Sequence, residues 1–180
     1  KPLETDNDAL EITLVTMSRL CKACKHFLKN LQDREVHMKL VPLIKGAVSA
    51  LVKKHKYGVR GEAACLLSVV AKGMVDPLDS LMSPAFQGTT EALVHMVGYG
   101  TEYEQSSALE AMRELMKVEK YNYFSTKLMG DPNKLVELCL KLLRKHEMDH
   151  ASTMAASVLK TLAHHKEASL SKIVDAEGVW

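Results

Sequence analysis

The sequence predicts an all-α protein, and three observations carry the prediction. Aromatic residues make up only 5% of the chain while methionine is plentiful, with 10 in 180 residues; β-sheet domains lean on aromatic and β-branched side chains. Apolar residues recur at steps of three and four through most of the chain, the spacing that lines one face of a helix. No stretch alternates polar and apolar residues long enough to make a half-buried strand. Hydrophobic residues reach 47% and charged residues 26%, enough to build a core and too apolar for a wholly disordered chain.

The elements follow in order. Asp6-Asn7-Asp8 offers capping residues for a long first helix. Its apolar face is Leu10, Leu14, Met17, Cys21, Cys24, Leu28 and Leu31. Asp33 caps a second helix through Val36, Leu40, Ile44, Val48 and Leu51, with Pro42 set to kink or split it. It ends in Lys53-Lys54-His55-Lys56, where cations suit the negative end of the helix dipole. A helix after Tyr57-Gly58 carries Val59, Ala63, Leu66, Leu67 and Val70 and stops at Gly73. Asp76-Pro77 and Ser83-Pro84 punctuate the next stretch. Thr89-Thr90-Glu91 opens a helix with Leu93, Val94, Met96 and Val97, ending at Gly98-Tyr99-Gly100. Residues 102–117 form another, with Ala108, Met112, Leu115 and Met116 inward. A shorter piece spans 120–129. Asp131 then caps a helix with Pro132 in its first position, lined by Leu135, Leu138, Cys139, Leu142 and Leu143. Asp149 caps the next, lined by Ala151, Ala155, Val158, Leu159 and Leu162. Leu170, Ile173 and Val174 make a last amphipathic piece.

One pattern returns three times: an alanine, a large apolar residue four positions on, and another three beyond that. It reads Ala63, Leu67, Val70; Ala108, Met112, Leu115; and Ala155, Leu159, Leu162, the alanines being 45 and 47 residues apart. Each alanine follows the apolar end of another helix, at Val52, Val97 and Leu143. A period in the forties with two or three helices per unit resembles armadillo and HEAT repeats. Leu135–Leu143 looks like the second helix of an armadillo repeat, and residues 150–163 are similar to the third. Ile173-Val174-Asp175-Ala176-Glu177-Gly178-Val179 resembles the junction between repeats. The pattern covers residues 34–180.

The resemblance implies a right-handed α-solenoid of about three armadillo-like repeats. Residues 1–33 would be an N-terminal capping helix and 34–180 the repeat domain, with units near 34–73, 74–117 and 118–165 and the start of a further unit at 166–180. It implies a non-enzymatic interaction module, part of a scaffold or adaptor, whose third helices line a groove for a peptide or helix. Groove positions two and six residues after each alanine are Cys65 and Val69, Glu110 and Glu114, and Ser157 and Thr161. Such a mix would suit a partner with a basic residue flanked by apolar ones. Members that read nuclear-localisation signals carry Trp and Asn at these positions; this chain carries neither, so the resemblance does not extend to that ligand. Val174, Val179 and Trp180 near the C-terminal end predict an apolar surface that self-associates or is covered.

The net charge of +2, from 24 basic and 22 acidic residues, gives no general case for nucleic acid or an anionic membrane. The Lys53–Lys56 turn with Arg60, beside Tyr57, is the one cluster suited to phosphates, and it reads better as a solvated turn. No run of 18 apolar residues predicts a membrane span. Of the four cysteines, Cys65 and Cys139 fall on apolar faces, as do Cys21 and Cys24 of a C-x-x-C pair, so a reducing compartment, cytoplasm or nucleus, is expected. Tyr121, Tyr123 and Phe124 are the densest aromatic group, suited to packing or to a partner.

One motif points to chemistry. His146-Glu147-Met148-Asp149-His150 matches H-E-x-x-H, in which two imidazoles one helical turn apart bind zinc and the glutamate polarises the bound water. The alternative expectation is therefore a zinc-dependent hydrolase using His146, His150 and Glu147. Against it, Arg144-Lys145 reads as a helix end and Asp149 as the next cap, so the five residues form a corner. Thr153 and Ala156 stand where an extended motif needs Gly and His. No nucleotide-binding loop or nucleophile elbow occurs, and no cofactor is expected.

Overall fold

A computed structural model of the chain describes residues 9, 12–17, 19, 57–73, 86–117, 132–144 and 149–165. Among these the secondary structure is entirely helical. The principal elements are α1 (Tyr57–Gly73), α2 (Phe86–Tyr99), α3 (Glu102–Lys117), α4 (Pro132–Leu143) and α5 (His150–His165). Residues 12–17 are also helical, within the long first helix expected from sequence, and Leu14 is buried in the common core. The expected second helix, the punctuated stretch 74–85, the piece at 120–129 and the C-terminal 166–180 lie outside the described residues.

The five helices pack in a definite pattern. α1 and α5 both lie against α3; α2 pairs with α3 and α4 with α5; α2 also touches α4. Helix α3 is thus covered on several sides, and eleven of its sixteen residues are buried. The three repeated alanines, Ala63, Ala108 and Ala155, are all fully buried, one on each of α1, α3 and α5. A methyl side chain there lets neighbouring helices approach closely, with axes about 8–10 Å apart. Leu66, Leu67, Leu93, Met96, Leu109, Met112, Leu115, Cys139 and Val158 fill the space between them.

The helix ends show why the chain turns where it does. At the α2–α3 corner the Gly100 amide donates to the Met96 carbonyl at 2.8 Å. Thr101 and Glu104 then form a reciprocal capping box. The Glu104 amide donates to Thr101 Oγ1 at 3.3 Å, and the Thr101 amide donates to Glu104 Oε2 at 3.0 Å. Buried Gln105 reaches back through Nε2 to the Val97 carbonyl at 3.1 Å, meeting an acceptor that the end of α2 leaves open. The α4–α5 corner repeats the device. Asp149 caps α5, its Oδ1 accepting from the Ser152 amide at 2.6 Å, as the sequence predicts. Ser152 Oγ donates to the Leu142 carbonyl at 3.1 Å. Gln105 and Ser152 each stand three residues before a repeated alanine.

One boundary differs. Helix α2 starts at Phe86 rather than at the Thr89-Thr90 pair. Both threonines are buried within the helix rather than standing at its start.

Gly100 allows the first corner to be this tight. A Cβ on it would stand 2.5 Å from the Met96 carbonyl oxygen and 2.8 Å from Glu104 Cβ. Gly100→Ala is therefore expected to push the corner open and cost about 1–2 kcal/mol, the lower part of the range for overpacking. Urea unfolding followed by circular dichroism measures it; an unchanged midpoint would show that the corner relaxes without loss.

Candidate functional site

The six groove positions expected from sequence fall on three neighbouring helices, Cys65 and Val69 on α1, Glu110 and Glu114 on α3, and Ser157 and Thr161 on α5. Their surroundings differ. Cys65 and Val69 are buried and pack as small apolar residues. Glu110 is partly exposed, and its Oε1 takes Lys72 Nζ from the last turn of α1 at 2.6 Å. Glu114 is buried, with 6% of its side chain exposed; Arg113 Nη2 and Lys117 Nζ converge on its Oε1 at 2.7 and 3.0 Å. Arg113 then crosses to α5, where Nη1 stands 3.4 Å from Ser157 Oγ and 3.7 Å from Met154 Sδ. Thr161 Oγ1 donates within α5 to the Ser157 carbonyl at 2.9 Å.

These contacts form two groups, Lys72 with Glu110 and Glu114 through Arg113 to Ser157, which the one-turn spacing of the two glutamates lines up along α3 as a polar strip. Of the two glutamates Glu110 is the more exposed. The Glu114 carboxylate holds Arg113 in position between α3 and α5. Helical periodicity puts both glutamates on one face of α3, one turn apart; it carries no information on which of them a neighbouring helix covers.

A second polar cluster ties α1 to α3 away from the strip. Arg60 Nε and Nη2 both lie 3.0 Å from Glu104 Oε1, with 13% of the arginine side chain and none of the glutamate exposed. Arg60 therefore spends its guanidinium inside the fold rather than in the phosphate-suited cluster with Lys53–Lys56, whose lysines lie outside the described residues. Next to it Tyr103 Oη donates to Glu62 Oε1 at 2.5 Å. The Tyr103 ring covers Gly61, where a Cβ would come within 2.6 Å of Cε1. Partial desolvation against α1, followed by the Glu62 carboxylate, raises the half-exposed Tyr103 phenol above its ordinary range, so the hydroxyl stays a donor. The T-x-x-E spacing at 101–104 is a capping signature that sequence reasoning missed; its pairing with Arg60, 44 residues away, leaves no local signal.

The metal motif does not form one helix. Helix α4 ends at Leu143, Arg144 is a turn, and Asp149 is the non-helical cap of α5. His150 is thus the first residue of α5, and that helix does not extend back through Asp149. His146 and Glu147 lie outside the described residues, as do Cys21, Cys24, Tyr121, Tyr123, Phe124, Val174, Val179 and Trp180. Among the described residues no group of three or more His, Cys, Asp or Glu is placed to hold a metal ion. No described helix is long and apolar enough to cross a membrane.

Cys65 and Cys139 are buried free thiols. Desolvation pushes the Cys139 thiol from an ordinary 9.0 up to about 12. The unfolded chain ionises this thiol from about pH 9 while the folded chain does not, so its contribution to stability is present below pH 9 and is lost as pH rises toward 12. Because the thiolate is the nucleophile, Cys139 is expected to resist iodoacetamide at pH 8 in the folded protein and to react once unfolded, read by peptide mass mapping. Rapid labelling of Cys139 in the folded chain would contradict its burial in the α4 core.

No family model, curated protein or solved structure matches the chain.

Proposed function

We propose that this chain is a non-enzymatic protein-interaction module, a short right-handed α-solenoid of armadillo-like units that takes a peptide or helix of a partner along the strip formed by α1, α3 and α5. The observation that carries the reading is the recurrence of one packing device at the sequence period. Two helical pairs, α2 with α3 and α4 with α5, stand side by side. In each, the residue three before the repeated alanine bonds a carbonyl at the end of the preceding helix. Arginines cross from α1 to α3 and from α3 to α5, each over 44 residues, close to the spacing of the alanines. Units that stack in this way expose corresponding helix faces in a row, which is how repeat arrays build extended binding surfaces.

On this reading the contact residues are Glu110, Ser157 and Thr161, with Lys72 and Arg113 setting the charge around them. Cys65, Val69 and Glu114 support the strip from beneath. A scaffold or adaptor role in the cytoplasm or nucleus belongs to the same proposal.

Display selection tests it. A random peptide library is selected on the full chain and counter-screened on a Ser157→Gln/Thr161→Gln variant, whose added bulk falls at partly exposed positions and changes no charge. The expected result is an enriched peptide class that binds the unaltered chain and is lost with the variant. Peptides that bind both equally would move the site elsewhere, and failure to enrich any peptide would remove the groove.

A further inference from the structure

We infer that the segment recognised along the α1–α3–α5 strip is acidic, an extended peptide with carboxylates spaced about two residues apart. This deepens the groove reading above and rests on it. In each ion pair of the strip the carboxylate lies deeper than the cation that meets it. Lys72 is 38% exposed against 23% for Glu110, and Lys117 is 53% exposed against 6% for Glu114. Arg113, at 19%, also lies outside Glu114. A partner arriving from solvent meets the nitrogens first. Three cations meet two carboxylates and lie outside them, so the strip presents itself as positive although it contains two glutamates. Lys160, exposed on α5 beside Thr161 and one turn from Ser157, adds to that charge.

Donor capacity gives the same sign. A lysine ammonium carries three N–H donors, and Lys72 and Lys117 each direct one bond to a glutamate in the strip. An incoming carboxylate is accepted by the remaining donors without breaking either pair. An incoming lysine or arginine would instead have to displace Lys72 from Glu110, and would find Glu114 buried beneath two cations. This reverses the sign of partner expected from the sequence, where both glutamates count as surface groups.

The spacing follows from where the ammonium groups sit. Lys72 Nζ is held at Glu110 and Lys117 Nζ at Glu114, and these glutamates stand one turn apart on α3, about 6 Å. An extended peptide advances roughly 3.3 Å per residue with alternate side chains on one face, so acidic residues two apart match the step between the two cations. A polypeptide is favoured over nucleic acid because the cations are few, Lys72, Arg113 and Lys117 are already tied to carboxylates, and the exposed aromatic rings of Tyr99 and Tyr103 fall outside the strip.

The test uses the full 180-residue chain and fluorescence anisotropy. The probes are a labelled peptide of about twelve residues with Glu at every second position, the same peptide with Lys in place of Glu, and a single-stranded oligonucleotide of matching negative charge. The acidic peptide is expected to bind with an affinity that falls as salt rises, and the basic one to bind at least about tenfold more weakly. Lys72→Glu/Lys117→Glu is expected to weaken the acidic peptide about tenfold. Lys134→Glu/Lys141→Glu, the same charge change at exposed positions of α4, is expected to change it less than about twofold. Melting temperatures of both variants confirm that they fold. Tighter binding of the basic peptide would overturn the inference and leave the groove standing. Equal loss in the two variants would reduce the effect to net charge and also overturn it. Binding of neither peptide, with no enrichment in the display selection, would remove the groove itself. Oligonucleotide binding that is lost in Lys72→Glu/Lys117→Glu and exceeds that of the acidic peptide would replace the inference with a nucleic-acid surface.

Discussion

Glu104→Ala is expected to destabilise the protein by about 3–5 kcal/mol, the cost of leaving one partner of a buried ion pair uncompensated. Glu104 is fully buried and divides its carboxylate between two tasks. Oε2 accepts the Thr101 amide and closes the capping box that starts α3. Oε1 accepts both Arg60 nitrogens and fixes α1 against α3. Removing it takes the balancing carboxylate from a guanidinium that is 13% exposed and opens a donor at the helix N-terminus. Glu104→Gln separates the tasks. Its amide oxygen can still accept one set of donors, but the charge that balances Arg60 is gone, so an intermediate loss is expected. Urea unfolding by circular dichroism gives both values. A loss below about 1 kcal/mol for the alanine variant, the size of an exposed pair, would show that the cluster is not the joint between the two helices.

The second large effect is expected from overfilling the repeat. Ala108 is fully buried on the helix that both α1 and α5 contact. Ala108→Leu adds a branched side chain where close packing leaves no room, and is expected to cost about 3 kcal/mol, the upper part of the overpacking range. The paired control is Ala156→Leu on α5. Ala156 is exposed, the substitution is the same, and helix propensity hardly changes, so a shift within about 0.5 kcal/mol is expected. If Ala108→Leu matched its control, the small residue would not be setting the approach of the helices.

Much of the framework is written in local sequence. Gly73, Gly98-Tyr99-Gly100, Pro132 and Asp149 mark helix boundaries because backbone geometry and capping act over a few residues. The alanine recurrence was legible because packing forces a small residue wherever helices approach one another. The role of α3 was less legible. Its sequence contains Glu104, Gln105, Ser106, Ser107 and Glu114, and all five are buried. A polar residue reads as a surface residue until its partner is known, and for two of these the partner stands on another helix: Arg60 on α1 for Glu104, the Val97 carbonyl on α2 for Gln105. For the same reason the sequence placed Glu110 and Glu114 in the groove as equivalents. Only the positions of Lys72, Arg113 and Lys117 separate a carboxylate at the surface from one that holds the fold together.

The central claim is that α1, α3 and α5 present one binding strip. Amide chemical shifts of isotope-labelled protein, followed while the acidic peptide is added, test it most directly. The account predicts that the largest changes track along Lys72, Glu110, Arg113, Ser157 and Thr161, with α4 residues Lys134 and Lys141 unmoved. Shifts centred on α2 and α4, or no shifts at peptide concentrations that saturate the anisotropy signal, would contradict it.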